Sequence, residues 1–251
     1  IMDPPRHEVK EAIQQAQSAG ISTKMITGDQ SDTALSIAKK VGIDQAEAGA
    51  VSGPELDEMD SNELSNTLDK YSVFPRVSPE NKLELIDALN NTNEITAMTG
   101  DGVNDAPALK KADTGVAMGK RGTSVARNAS DMVLLDDSFS TIVKAIKEGR
   151  VIFDNIQKFI YYLFSINLSK IIFIFLSVVL QIPLPLLALQ ILWLNLVIDV
   201  LPALALGWET PEPDVMDRPP RDPDKSILND KFNKKLLTHS SLIALGPLIL
   251  F

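Results

Sequence analysis

The most informative absence in this chain is cysteine, since none of the 251 residues is one. Disulfide bonds, thiolate metal sites and thiol catalysis are therefore excluded. Only two histidines are present, which leaves no metal centre built from several histidines. The net charge is −9 and no run of Lys and Arg stands out, so we expect no nucleic-acid partner.

The two ends of the chain do not look like natural termini. The chain opens on Ile1-Met2-Asp3-Pro4-Pro5-Arg6, which is neither a signal peptide nor a usual start of translation. It closes on the apolar run from Leu242 to Phe251. We therefore expect a longer polypeptide, cut at both ends.

The first part of the chain, residues 1–140, alternates helical patterns with short β-branched or apolar runs. Two of the helices are expected to end at Gly20 and Gly42, because glycine is common just after a helix. Strands that alternate with helices favour an α/β fold with a parallel sheet covered by helices. The expected strands are residues 21–26, 94–99, 114–118 and 131–135.

The composition changes after residue 140, where apolar runs of bilayer-spanning length begin. A buried hairpin of a soluble protein is the alternative for these runs. Basic residues precede the first run and follow the second, so the positive-inside rule places the α/β part in the cytoplasm. The predicted segments are a stalk helix (141–158), two transmembrane helices (159–180 and 186–207), a cytoplasmic loop (208–231) and the start of a third transmembrane helix (232–251).

The most specific motif is Thr99 to Leu109, which reads TGDGVNDAPAL. It follows an apolar strand and carries two carboxylates, Asp101 and Asp105, with Asn104 between them. Open α/β sheets bind ligands at the carboxyl ends of their strands. Because Mg²⁺ prefers oxygen ligands that it can share with phosphate, we predict that Asp101 binds Mg²⁺.

Two further motifs indicate a phosphate-binding pocket. The run Thr27-Gly28-Asp29 follows the first strand, and its hydroxyl and N–H groups can donate to phosphate oxygens. Ser78 and Pro79 are typical of a helix start, as cap and first residue. Lys82 then lies in the first turns of that helix, where its ammonium could reach a phosphoryl group.

Polar residues inside the predicted spans indicate a cation site, because ionisable groups are costly in a bilayer. Asn167 and Lys170 share one face of the first span, and Asn195 and Asp199 share one face of the second. Pro202 should disturb the helix near Asp199 and free backbone carbonyls for a cation. Helix–helix packing through the asparagines is the alternative.

Taken in order, these motifs resemble the C-terminal half of a P-type cation-transporting ATPase, and most closely the sarco/endoplasmic-reticulum-like calcium pumps. The soluble motifs are specific to that family, and the membrane motifs point to the calcium-pump branch. The matching residues are Asp3–Arg6, Met25–Asp29, Lys82, Thr99–Leu109, Asn195–Val197, Asp199, Leu201–Ala203 and Met216–Arg221.

The resemblance implies a haloacid-dehalogenase-like phosphorylation domain, a stalk helix and transmembrane helices, in a pump that uses ATP and Mg²⁺ and forms an aspartyl phosphate. Asp101 would bind Mg²⁺, while Asn104 and Asp105 would organise the pocket. Thr27-Gly28-Asp29 would contact the phosphoryl group or the nucleotide, and Lys82 would stabilise its charge. The implied partners are a transported cation (Ca²⁺ first), the lipid bilayer of the cell membrane and the remaining domains of the same polypeptide.

Two departures from the family pattern affect this interpretation. The family's nucleophilic Asp belongs to an Asp-Lys-Thr-Gly-Thr run, which this chain lacks, and Asp136-Asp137 does not replace it. We therefore expect this segment alone to be inactive. In the membrane, Lys170 stands where the calcium pumps have Glu, and Ile198 where they have Thr.

A fixed cation at position 170 would repel a second bound cation at interior dielectric. We therefore expect an ion site of Asn167, Lys170, Asn195 and Asp199 that carries one Ca²⁺ per cycle. Proton export would suit the same residues, and Na⁺, K⁺ or Mn²⁺ stay open.

Three rival classes remain to be weighed. A P-loop enzyme would need Gly-x-x-x-x-Gly-Lys-Ser/Thr, and the nearest run, Thr114 to Arg121, fails at its first and last positions. A membrane-anchored phosphatase would share the Asp-rich loop but would not need Asn195 and Asp199. A non-catalytic segment that binds Mg²⁺ or partners is the third possibility.

Overall fold

The computed structural model describes residues 6–92, 94–183 and 186–250. The chain divides into two compact units, the first formed by Ile1–Ile146 with Met216–Pro223 and the second by Lys147–Val215 with Asp224–Phe251. Asp3-Pro4-Pro5 of the matching motif and residues 184–185, between the two predicted spans, lie outside the described residues.

The first unit is an α/β fold with parallel strands, as predicted. Strands β1 and β2 pair in parallel, and β3, β4 and β5 form a second parallel sheet in that order. The elements are α1 (His7–Ser18), β1 (Met25–Ile26), α2 (Ser31–Val41), α3 (Gly53–Leu56), α4 (Ser61–Lys70), β2 (Val73–Phe74), α5 (Pro79–Asn90), β3 (Ala97–Gly100), α6 (Ala106–Lys111), β4 (Thr114–Met118), α7 (Ser124–Ala129) and β5 (Met132–Leu134), with 3-10 turns at Ala46–Ala48 and Val103–Asp105.

Local sequence signals set several of these boundaries. Gly20 (φ 72°) and Gly42 (φ 81°) adopt the left-handed conformation after α1 and α2, as predicted. α5 starts at Pro79, and the Ser78 hydroxyl accepts the Asn81 N–H at 3.1 Å, which also confirms the predicted start. These caps place Lys82 in the first turn of α5.

The expected strand at residues 21–26 was too long, because only Met25 and Ile26 pair with a neighbour. In the parallel register Met25 lies opposite Val73, so residues 21–24 would have to pair with residues 69–72. That segment contains the end of α4 at Lys70, so no strand is present there to pair with.

Small apolar clusters hold the helices against the strands. One joins α1 and α2 to β2, a second joins α4 and α5 to β2, and a third joins α5, α6 and α7 to β3 and β4. Burial of such side chains is the main favourable term in folding. Representative buried residues are Ile13, Ala38 and Val73 in the first cluster, Leu68, Phe74 and Leu85 in the second, and Ile86, Leu109 and Ala117 in the third.

The predicted stalk and first span form one helix, α8 (Phe139–Val179), of 41 residues. The later elements are α9 (Ala188–Trp193), a π-helical segment (Leu194–Ile198), α10 (Val200–Gly207) and α11 (Asp230–Leu250). By length and composition, two stretches of the described chain could cross a membrane, namely Phe139–Val179 and Ala188–Gly207. The third span predicted at 232–251, where α11 lies, stays a prediction.

The second predicted span is interrupted rather than a regular α-helix. Asp199 donates its N–H to the carbonyl of Leu194 at 3.0 Å, five residues back. Pro202 has no N–H for the Ile198 carbonyl, and π turns are frequent at functional sites. The disturbance predicted from Pro202 is therefore present and lies directly before Asp199.

Candidate functional site

The Asp105 carboxylate organises the loop at the carboxyl end of β3. One oxygen, Oδ1, lies 2.6 Å from Nζ of Lys82. The other oxygen, Oδ2, accepts the backbone N–H of Asp101 at 3.1 Å and of Gly102 at 2.9 Å. A single carboxylate thus joins the start of α5 to the turn that carries Asp101.

Burial and hydrogen bonding act on Asp105 in opposite directions. Burial of the carboxyl opposes ionisation, but the hydrogen bonds from Lys82 and from the N–H of Gly102, the charge of Lys82 and the N–H of Asp101 together hold the pKa of Asp105 below its usual range. The side chains of Lys82 and Asp105 are only 17% and 11% exposed to solvent. This ion pair is therefore shielded from water and fixes the ammonium in place.

The Asp101 carboxylate, by contrast, is exposed and has no hydrogen bond or ion pair within the described part of the chain. Its backbone carbonyl accepts the N–H of Thr123 at 2.8 Å, which fixes the turn. Asn104 is exposed on the same turn. Among the described residues, no group of three or more His, Cys, Asp or Glu could hold a metal ion.

One open carboxylate nevertheless fits Mg²⁺, since this ion keeps several waters and takes one or two carboxylates together with phosphate oxygens. Among the described residues, Asp101 therefore has an open carboxylate that could hold Mg²⁺.

The Thr27-Gly28-Asp29 turn lies beside the loop that follows β2. The Thr27 hydroxyl accepts the Asp29 N–H at 3.1 Å. The carbonyls of Thr27 and Asp29 accept the N–H groups of Val77 and Arg76, each at 3.1 Å. The β1 turn and the segment leading to Lys82 are thus tied together at one edge of the β1–β2 pair.

The second site lies in the second unit and is centred on Asp199. Nζ of Lys170 lies 2.5 Å from Oδ2 of Asp199 and 2.7 Å from Oδ1 of Asn195. The side chains of Lys170 and Asp199 are 14% and 6% exposed. Lys170 and Asp199 therefore form an ion pair, in which a shielded ammonium neutralises a shielded carboxylate.

Asn167 does not join this group in the described chain. Its amide donates to the Leu163 carbonyl one turn earlier on the same helix, at 2.9 Å. Of the four residues predicted for the ion site, the structure brings together Lys170, Asn195 and Asp199.

Comparison with known proteins identifies the family of the chain. Residues 1–113 match the family model of haloacid dehalogenase-like hydrolases, and residues 183–251 match that of the cation transporting ATPase C-terminus. The chain belongs to the P-type cation-transporting ATPases. The resemblance noted from the motifs is thereby confirmed, and so is the expected fold class, a haloacid-dehalogenase-like domain followed by long apolar helices.

Similar members of this ATPase family are named as calcium transporters. The chain is 48% identical over its full length to a calcium-transporting ATPase of Bacillus subtilis (strain 168). It is 49% identical over 99% of its length to calcium-transporting ATPase 1 of Lactococcus lactis. The human calcium-transporting ATPase type 2C member 1 is 45% identical over the full chain.

The chain spans 28%, 28% and 27% of these three relatives. As a member of this family, it is part of a membrane protein.

Two residues near the pocket of this ATPase chain were not predicted as site residues. A Cβ on Gly100 would lie 2.5 Å from Cβ and 2.8 Å from Cγ of Asp105, so only glycine allows Asp105 its position. Arg76 is exposed and holds a left-handed backbone (φ 55°) beside Asp29. Strained conformations of this kind cluster at functional sites. The two glycines around Asp101 were a signal for Gly100, whereas no sequence pattern reveals the backbone of Arg76.

Proposed function

We propose that the chain is part of an ATP-driven pump that transports Ca²⁺, one ion per cycle, through an aspartyl-phosphate intermediate. One observation supports the proposal most strongly. The Asp105 carboxylate is hydrogen bonded to Lys82 and to the backbone N–H of Asp101, while the Asp101 carboxylate is exposed to solvent. Positioning and electrostatics supply most of the catalysis of phosphoryl transfer, and this arrangement provides both.

The residues of the pocket then have separate tasks. Lys82, held by Asp105, would balance the charge of a phosphoryl group, and Asp101 would hold Mg²⁺ with Asn104 beside it. Thr27-Gly28-Asp29 would orient the phosphoryl group or nucleotide through hydroxyl and N–H groups. Bound Mg²⁺ supplies charge neutralisation at the phosphate oxygens.

The remaining domains of the polypeptide would supply the nucleophilic Asp. In the described chain, β1 and β3 each pair with a neighbour on one side only. The side chains of Ala97 and Thr99 on β3 are exposed. A strand from elsewhere in the polypeptide could pair at either edge and bring its carboxylate toward Asp101 and Lys82.

Lys170 supports transport of a single cation. Its ammonium already neutralises Asp199, so an incoming Ca²⁺ must displace it from that carboxylate. The displaced ammonium remains on the same helix, and its charge would repel a second ion nearby. The names of the relatives favour Ca²⁺. Export of protons or of another cation is the second candidate, since a Lys–Asp pair at this position also suits a group that gains and loses a proton.

We further propose the domain arrangement predicted from the sequence. Residues 1–140 would form the cytoplasmic phosphorylation domain, 141–158 the stalk, 159–180 and 186–207 two spans, 208–231 a cytoplasmic loop and 232–251 the start of a third span. The cell membrane is the proposed location. Because α8 contains both the stalk and Lys170, it would transmit changes at the pocket to the ion site.

Cation-stimulated ATP hydrolysis by membranes that carry the complete polypeptide tests this function. Ca²⁺ should stimulate hydrolysis in the wild type, and Asp199→Asn should remove the Ca²⁺ dependence. Lys110→Ala is the matched control, because Lys110 is exposed and forms no ion pair within the described residues. Stimulation by another cation would favour the second candidate. Hydrolysis that no cation stimulates would favour a non-catalytic role and contradict the proposal.

A further inference from the structure

Asn81, the residue directly before Lys82, is a buried polar residue whose amide is engaged at both ends. Its side chain is buried, with 3% of the residue exposed. Oδ1 accepts the backbone N–H of Ser78 at 3.1 Å, and Nδ2 donates to Oδ1 of Asp57 at 2.6 Å. A backbone N–H can only donate and an ionised carboxylate can only accept, so these two neighbours fix the orientation of the amide.

Asp57 lies on a separate segment that packs closely against the start of α5. It directly follows α3 and is 24 residues from Asn81 in the chain. The N–H of Gly53, the first residue of α3, donates to the Pro75 carbonyl at 2.9 Å. A Cβ on Gly53 would lie 2.2 Å from the carbonyl oxygen of Arg76 and 3.1 Å from Oδ1 of Asn81, so α3 has no room to shift toward α5.

The bond between Asp57 and Asn81 is not needed to start the helix. Ser78 and Pro79 already do so, because the Ser78 hydroxyl accepts the Asn81 N–H and proline suits the first turn. What the bond adds is a connection between that turn and another element. The same turn includes Lys82, whose N–H donates to the Ser78 carbonyl at 3.1 Å.

We propose that Asp57 and Asn81 are positioning residues for Lys82, because they hold the first turn of α5 where its ammonium reaches Asp105 and the phosphoryl group. Lysine is a point charge on a flexible stem, so the reach of its ammonium depends on where its backbone is fixed. A misplacement of about 1 Å can slow a reaction about 100-fold. The effect on phosphoryl transfer rests on the proposed function, whereas the effect on the ion pair with Asp105 does not.

The first test measures phosphate incorporation from saturating ATP into the complete polypeptide. Asp57→Ala removes the acceptor and should slow incorporation about tenfold, as for a displacement below 1 Å. Asp57→Asn should stay near the wild type, because an amide oxygen can still accept from Asn81 although the charge is lost. Glu58→Ala is the control, since Glu58 is an exposed neighbouring carboxylate without a hydrogen bond or ion pair in the described part of the chain. Equal rates for Asp57→Ala and Glu58→Ala would contradict the proposal.

Exchanging the two side chains tests the bond itself. Asn81→Asp should slow incorporation more than Asp57→Ala, because two carboxylates would then face each other. Combining Asn81→Asp with Asp57→Asn restores one donor and one acceptor, and the new carboxylate can still accept the Ser78 N–H. The double variant should therefore be faster than Asn81→Asp alone. A double variant no faster than that single variant would overturn the assigned bond.

A cycle of thermal midpoints judges the proposal without reference to catalysis. Lys82→Met removes the ion pair with Asp105, and its effect on the midpoint should be smaller in the Asp57→Ala background, where the pair is already weakened. Additive effects would show that Asp57 supports only the fold, and the proposal would fail. If the wild type incorporates no phosphate, the proposed function fails, while this coupling still decides whether Asp57 positions Lys82.

Discussion

At the scale of single residues, the phosphate pocket depends on how closely the backbone of β3 approaches Asp105. Gly100 leaves no room for a side chain, since Cβ, Cγ and Oδ2 of Asp105 would lie 2.5–2.9 Å from an added methyl group. Asp105 cannot retreat without breaking its bond to Lys82. The glycine is therefore a requirement of the pocket and not of the strand.

We expect Gly100→Ala to destabilise the protein by about 1–3 kcal/mol, the usual cost of overpacking. It should also weaken formation of the phosphoenzyme, because Asp105 must move away from Lys82. The thermal midpoint and phosphate incorporation from ATP measure the two effects. Gly149→Ala is the control for stability, since an added methyl group there meets nothing within 4 Å. Equal midpoints for Gly100→Ala and the wild type would contradict the prediction.

The depressed pKa of Asp105 predicts an acid-sensitive contribution to stability. The pKa is lower in the folded state, so the contribution is complete above the unfolded pKa of about 4 and is lost as the pH falls through the folded value. Asp105→Asn should be less stable than the wild type at neutral pH, and the difference should shrink as the pH falls below the unfolded pKa of about 4. Asp44→Asn, at an exposed carboxyl, is the control. The thermal midpoint as a function of pH checks the expected convergence.

At the scale of elements, α8 is attached to the segment after α10 by contacts of very different burial. Asn155 is 5% exposed, and its amide donates to the carbonyls of Glu209 at 2.9 Å and Gly207 at 3.4 Å. Lys158 reaches the carboxylates of Glu209 and Glu212, which raise its pKa through hydrogen bonds, but these side chains are 32–51% exposed.

We therefore expect Asn155→Ala to be the more damaging substitution. It removes the buried amide that donates to the carbonyls of Gly207 and Glu209, and the loss of such a hydrogen bond costs about 0.5–1.5 kcal/mol. Lys158→Met should cost less, because solvent-exposed ion pairs contribute little. Thermal midpoints of the two variants at low and high salt provide the comparison. Salt should reduce the effect of Lys158→Met and leave that of Asn155→Ala unchanged. A larger loss for Lys158→Met would contradict the argument from burial.

Elements were predictable from the sequence where a local signal sets them. Gly42, Ser78 and Pro79 each mark a helix end or start through their own backbone or side-chain chemistry. The length of β1 was not predictable, because it depends on how many residues of β2 are available to pair. The same holds for the site, where two separate motifs predict Lys82 and Asp105 as pocket residues. The sequence predicts neither the ion pair between them nor the left-handed backbone of Arg76 beside Asp29.

At the scale of the whole molecule, a shielded Lys–Asp pair is described in each of the two units. In the first unit Lys82 pairs with Asp105, so the proposed Mg²⁺ ligand Asp101 has no ion pair among the described residues. In the second unit Lys170 pairs with Asp199, which is itself the proposed ion ligand. The first pair can therefore persist while a ligand binds beside it. The second pair has to break before Asp199 can bind a cation, so ion binding must include displacement of an ammonium.

This difference predicts the stoichiometry of transport. The complete pump should move one Ca²⁺ per ATP, because Lys170 occupies the place of a second ion. The double substitution Lys170→Glu and Ile198→Thr replaces the ammonium by a carboxylate and introduces a hydroxyl, as in the calcium-pump pattern. It should raise the number of Ca²⁺ ions transported per ATP toward two. Radioactive calcium uptake against phosphate released, in sealed vesicles, measures both. Lys110→Ala should stay at one. A wild-type ratio of two Ca²⁺ per ATP would contradict the single-ion proposal.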